Sequence, residues 1–159
     1  MQPSRVVLII AAACLAITSV APAQAPGRDP CTLLTAAEVN TALGITSRPG
    51  RPFLGSHVSC YFAADTGITM GAASVTVMVL TPAAFQNQSH MGGAMTAHPI
   101  AGLGDEAFYV SSGSYAKVLV RKGGGAVSVT IVPGQTSKAS PAAVLEKEQA
   151  LARKALARL

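Results

Sequence analysis

The chain has 159 residues and a formal net charge of +5; half its residues are hydrophobic, yet only 4% are aromatic and tryptophan is absent. That length supports one domain with a core, which alanine, valine and leucine must fill through many small contacts. The basic residues are spread along the chain with no Lys/Arg run, which argues against a nucleic-acid partner.

The N-terminus reads as a signal peptide over residues 1–23. Arg5 is followed by an apolar run from Val6 to Val20 and then by Ala21-Pro22-Ala23, a small-x-small cleavage site. The run is shorter than the roughly 20 apolar residues of a spanning helix, so no membrane span is expected after cleavage. Ile10-Ala11-Ala12-Ala13-Cys14 is a loose match to a lipoprotein signal, so lipidation of Cys14 is the alternative. Cleavage removes Arg5 and no acidic residue, leaving a chain one charge less positive. It also leaves two cysteines, Cys31 and Cys60, which in an exported chain read as a disulfide.

Residues 24–30 read as a mobile leader and residues 31–159 as a single domain. Thr35-Ala36-Ala37-Glu38 is a capping box, Leu34, Val39 and Leu43 form an apolar stripe, and Gly44 ends this first helix. Two prolines and two glycines near Arg48-Pro49-Gly50-Arg51-Pro52-Phe53 predict an irregular loop over 45–57. Strands are predicted over 58–63 around Cys60 and over 73–80, where Val75, Val77 and Val79 alternate with Thr76 and Met78. Thr81-Pro82 opens a second helix running toward Met91. After an irregular stretch, strands follow at 107–110, 116–122 and 126–132. The last two are joined by Gly123-Gly124-Gly125, with Lys117, Arg121, Ser128 and Thr130 facing solvent. A final helix spans 140–159 on a stripe of Leu145, Ala152, Leu156 and Leu159. The expected fold is α+β, in the order α-β-β-α-β-β-β-α: an antiparallel sheet of about five strands with helices mainly on one face.

Several phrases carry a resemblance: Asp29-Pro30-Cys31-Thr32-Leu33-Leu34-Thr35 before Glu38-Val39, Cys60-Tyr61, Gly102-Leu103-Gly104-Asp105-Glu106-Ala107-Phe108, and the C-terminal Ala-Leu-Ala-Arg-Lys-Ala-Leu. They resemble a group of secreted or lipid-anchored bacterial envelope proteins of unknown function, best known from actinobacteria. The resemblance implies a sandwich-like α+β domain and no activity. The chain departs from the lipid-anchored members in lacking a clear lipobox.

Chemistry is sparse. There is no Gly-x-Ser-x-Gly elbow, and the only histidines are His57, His90 and His98. Asp105 and Glu106 are adjacent and diverge on a strand, while Glu146 and Glu148 read as solvated charges on the last helix. No catalytic residue and no cofactor is assigned, and the chain is read as a non-enzyme. His90, Met91, Met95 and His98 form the most unusual cluster, since imidazole and thioether are copper ligands. Arg48, Arg51 and Phe53 combine guanidinium and aromatic groups on a proline-stiffened loop, residue types enriched at binding hot spots.

The expectation is an exported, periplasmic or secreted domain that binds an envelope partner or small ligand. A copper-handling protein, and an enzyme or enzyme inhibitor with an unrecognised site, are the alternatives.

Overall fold

The computed structural model describes residues 27–65, 71–90, 95–112, 115–135 and 137–159. Its elements are α1 (Ala36–Leu43), β1 (Arg51–Pro52), β2 (Ser59–Ala63), β3 (Ser74–Leu80), α2 (Pro82–Ser89), β4 (Thr96–Pro99), β5 (Glu106–Ser112), β6 (Tyr115–Lys122), β7 (Gly125–Val132) and α3 (Pro141–Leu156). Short 3-10 turns at Pro30–Thr32 and Phe53–Gly55 flank the first helix and the first strand. All strands join one antiparallel sheet, ordered β1-β2-β3-β7-β6-β5-β4.

The α+β class and the antiparallel sheet agree with the sequence, but the sheet has seven strands rather than about five. The two additions are its edges, β1 and β4. Each is short and ends in a proline, Pro52 or Pro99. Proline removes a ladder donor, which only an edge tolerates, and short proline-bearing edges also resist further strand pairing. Neither segment shows alternating apolar residues, so periodicity could not report it.

The helix ends follow local rules. Thr35 Oγ1 accepts from the Glu38 amide while the Glu38 carboxylate accepts from the Thr35 amide, closing the capping box; Gly44, at φ 67°, ends α1. Thr81 and Ser140 cap α2 and α3, each ahead of a proline in the first turn. Glu38 also receives two guanidinium bonds from Arg158 (2.7 and 2.8 Å), which tie α1 to the end of α3. The Arg158 hydrogen bonds hold its carboxyl at about 2, well below the usual range. Part of the segment read as leader is also held to the domain. Arg28 donates to the Arg158 carbonyl, Asp29 caps the 3-10 turn through the Cys31 amide (2.8 Å), and Pro30 is buried.

The sheet has two covered faces. A row running Pro52, Cys60, Val77, Val129, Val118, Tyr109 and His98 crosses all seven strands on one side. Around it the main core gathers Val75, Val120, Val127 and Ile131 with Leu33, Leu34 and Val39, beneath Val144, Leu151, Ala152 and Ala155 of α3. On the opposite side α2 inserts Phe85 among Leu80, Val110, Leu119 and Ala126. Lys117 and Ser128, expected in solvent, are therefore only 7% and 5% exposed, and Lys117 Nζ donates to Gln88 Oε1 of α2 at 2.6 Å. Two helices cover one face and the third covers part of the other, which strand periodicity alone does not reveal.

The Gly102-Leu103-Gly104-Asp105 turn is structural. Leu103 is buried in the main core, and Asp105 Oδ2 accepts from the Gly123 amide (2.6 Å) in the β6–β7 hairpin. Gly104 has φ 66°, and a Cβ there would lie 2.5 Å from the Arg121 carbonyl oxygen. Gly102 has φ 72° with open space around it. Gly104→Ala is therefore expected to cost about 2–3 kcal/mol and Gly102→Ala about 1 kcal/mol. Thermal denaturation of both variants checks this; equal shifts would contradict the close approach at Gly104.

Candidate functional site

The loop between α1 and β2 is pinned at both ends. At its start Ser47 bridges to Ala64 and its amide donates to Asn40 Oδ1 at 2.7 Å. At its end the Cys31–Cys60 disulfide joins the first 3-10 turn to β2. Gly50 lies directly over that bond: a Cβ there would come within 2.7 Å of Cys60 Sγ and 2.5 Å of the Phe62 ring. Only a glycine lets the loop cross so closely.

Beyond this crossing, β1 sets Arg51 opposite Tyr61 and Tyr61 opposite Thr76, on the sheet face that carries α2. The Arg51 guanidinium lies 5.9 Å from the Tyr61 ring centre, within cation–π range, and the Phe53 ring lies 5.5 Å from Tyr61. Leu54 follows in a left-handed conformation, φ 50°, which a leucine adopts only at a cost of about 1 kcal/mol or more. Its side chain is 91% exposed, and Phe53 is 40% exposed beside it. Arg51, Pro52, Phe53, Leu54, Gly55 and Tyr61 line a shallow concavity of about 420 Å³. The strained backbone thus holds this leucine out in water.

Of the three loop residues singled out in the sequence, Arg51 and Phe53 meet in this cluster. Arg48 does not line it; its Nε donates to Asp65 Oδ1 at 2.6 Å, and its amide donates to the Ala63 carbonyl. Leu54 and Tyr61 were missed. Tyr61 joins through the β1–β2 register, and the exposure of Leu54 follows from a backbone angle that no composition encodes.

Three members of the His/Met cluster lie among the described residues. His90 caps α2, with Nδ1 within hydrogen-bonding distance of the Gln86 carbonyl (2.9 Å) and Ser89 Oγ (3.0 Å). Met95 packs against the core under α2. His98 pairs with Tyr109 in the row that belongs to the opposite face. Met91 lies outside the described residues, as does Cys14. Among the described residues no group of three or more His, Cys, Asp or Glu could hold a metal ion.

Glu148, read as solvated, is fully buried in α3 beside the main core. Its Oε1 accepts from the Ile131 amide at 2.8 Å. The β6–β7 pairing ends at Val118–Val129, so the carboxylate takes an amide on β7 just beyond the ladder's end. Among the described residues Oε2 has no hydrogen-bond partner. Burial pushes the carboxyl up to about 7, and burial together with the Glu148 charge raises the Tyr109 hydroxyl. The spacing was readable: Glu148 follows Val144 by four residues and precedes Leu151 by three, within the buried stripe.

A second concavity, about 230 Å³, lies among Ile45, Ala73, Ile131, Pro133, Val144 and Lys147. Glu148 lines neither concavity, so its raised pKa belongs to the packing of α3 on the sheet.

The expectation that the chain holds no Ser-x-x-Lys motif is wrong: Ser114-Tyr115-Ala116-Lys117 has that spacing of acyl-transfer enzymes. That spacing brings two side chains together on a helix, whereas Lys117 lies on strand β6 and reaches Gln88.

Among the described residues no helix is long and apolar enough to cross a membrane. Comparison with protein-family models, with curated proteins and with solved structures finds no match to this chain.

Proposed function

We propose that the protein is an exported, non-enzymatic binding domain whose working face is the Arg51–Tyr61 surface. The observation that carries this reading is Leu54, 91% exposed at φ 50°, beside Phe53, Arg51 and Tyr61 on a loop anchored by a disulfide. Hot spots favour an aromatic and an arginine that are already held in place, since little side-chain freedom is then lost on binding. Export is supported by Arg5, the apolar run and Ala21-Pro22-Ala23, and a disulfide suits an oxidising compartment. The likeness to bacterial envelope proteins points to the same setting.

Arg51→Ala combined with Phe53→Ala is expected to abolish capture of a partner from the envelope fraction of the producing organism. Both side chains are exposed, so the melting temperature should move by no more than a surface substitution allows, equivalent to about 0.5 kcal/mol. Unchanged capture would refute this assignment of the face.

A further inference from the structure

Resting on that reading, we propose that the partner is an anionic lipid bilayer, met by Leu54 and Phe53 at its apolar boundary and by Arg51 at its phosphates. From Arg48 to Ala64 the chain carries two arginines and no acidic residue; the next acid, Asp65, is engaged by Arg48. Among the described residues Arg51 has no carboxylate partner, and its recorded contact is the Tyr61 ring. Without residues 1–23 the chain is still basic, one charge below the +5 of the full sequence, so the approach to an anionic surface is favourable before contact.

The shape favours a bilayer over a protein groove. A protein hot spot gains from a rim that excludes water, whereas here Leu54 is 91% exposed beside a Phe53 that is 40% exposed, and the concavity they line with Arg51 and Tyr61 is shallow. A bilayer accepts such a tip without shape matching: apolar residues enter the acyl boundary, and aromatic and arginine side chains settle at headgroup level. Such binding is shallow, reversible and sensitive to salt.

The test is co-sedimentation of the protein, as its host exports it, with phosphatidylcholine vesicles prepared with and without phosphatidylglycerol. Wild type and variants all carry Cys14→Ser, so no acyl anchor contributes to sedimentation. The expected result is sedimentation with the anionic vesicles and release by high salt. Arg51→Glu should weaken the binding about tenfold. Leu54→Asn should also weaken it while leaving the melting temperature equal or higher, because asparagine accepts the left-handed backbone. Loss of binding in that variant therefore cannot be blamed on misfolding. Absence of sedimentation, equal binding to neutral vesicles, or variants that bind like wild type would overturn the proposal. If vesicles fail while the Arg51/Phe53 double variant still loses partner capture, the binding face stands and only the bilayer falls.

Discussion

Replacing Cys31 and Cys60 together by alanine is expected to destabilise the protein by about 3–4 kcal/mol, lowering its melting temperature by roughly 10–15 °C. The bond spans a sequence separation of 29, so much of its effect is the freedom it removes from the unfolded chain. The folded state contributes as well. Cys60 is fully buried in the main core, and Cys31 packs against it. The bond also carries the loop that crosses at Gly50, so its loss should loosen Arg51 and Phe53 more than it loosens the hairpin of β6 and β7. Calorimetry with amide exchange checks both statements. A melting shift of only a few degrees, or exchange rising equally across the sheet, would contradict them.

The second large effect is on pH dependence and comes from Glu148. Its carboxyl titrates at about 7 when folded against 4.5 when free. Between those values the unfolded chain gives up a proton that the folded chain retains, so stability falls as pH rises through that window. The loss is complete above about 7 and amounts to about 3 kcal/mol. Below 4.5 the contribution is intact. Glu38 acts in the opposite sense: its carboxyl is held at about 2, so its contribution is present above 4.5 and lost as pH falls toward 2. Glu148→Gln keeps an acceptor for the Ile131 amide and removes the titration. Its stability relative to wild type should therefore rise by about 3 kcal/mol between pH 4.5 and 8, read by urea unfolding at each pH. Parallel pH profiles for the two proteins would show that Glu148 does not titrate in the core.

These two effects mark how far the residues speak for themselves. The cysteine pair was legible because a chain read as exported, with two cysteines left after the expected cleavage, has one intramolecular disulfide to make. The central strands were legible because their valines alternate toward a single core, and the helices because Thr35, Thr81 and Ser140 announce them. What escaped depends on long-range neighbours. The edge strands β1 and β4 exist only because β2 and β5 lie beside them, and Lys117 is covered because Phe85 brings α2 onto its face. Glu148 was masked by its own charge, although its helical spacing placed it on the buried stripe. At the candidate site, residue type found Arg51 and Phe53 but also drew in Arg48, which the fold spends on Asp65. Tyr61 and Leu54 required the strand register and the backbone angle.

The central claim is that the Arg51–Tyr61 surface is where this protein meets its partner. It is tested most directly by a photo-crosslinking amino acid placed at Leu54, with a second protein carrying it at Ala142, an exposed position on α3. Both are expressed in the producing organism and irradiated in place. The account predicts a discrete adduct, protein or lipid, from position 54 and little from position 142. Equal labelling at both positions, or an adduct from 142 alone, would contradict it.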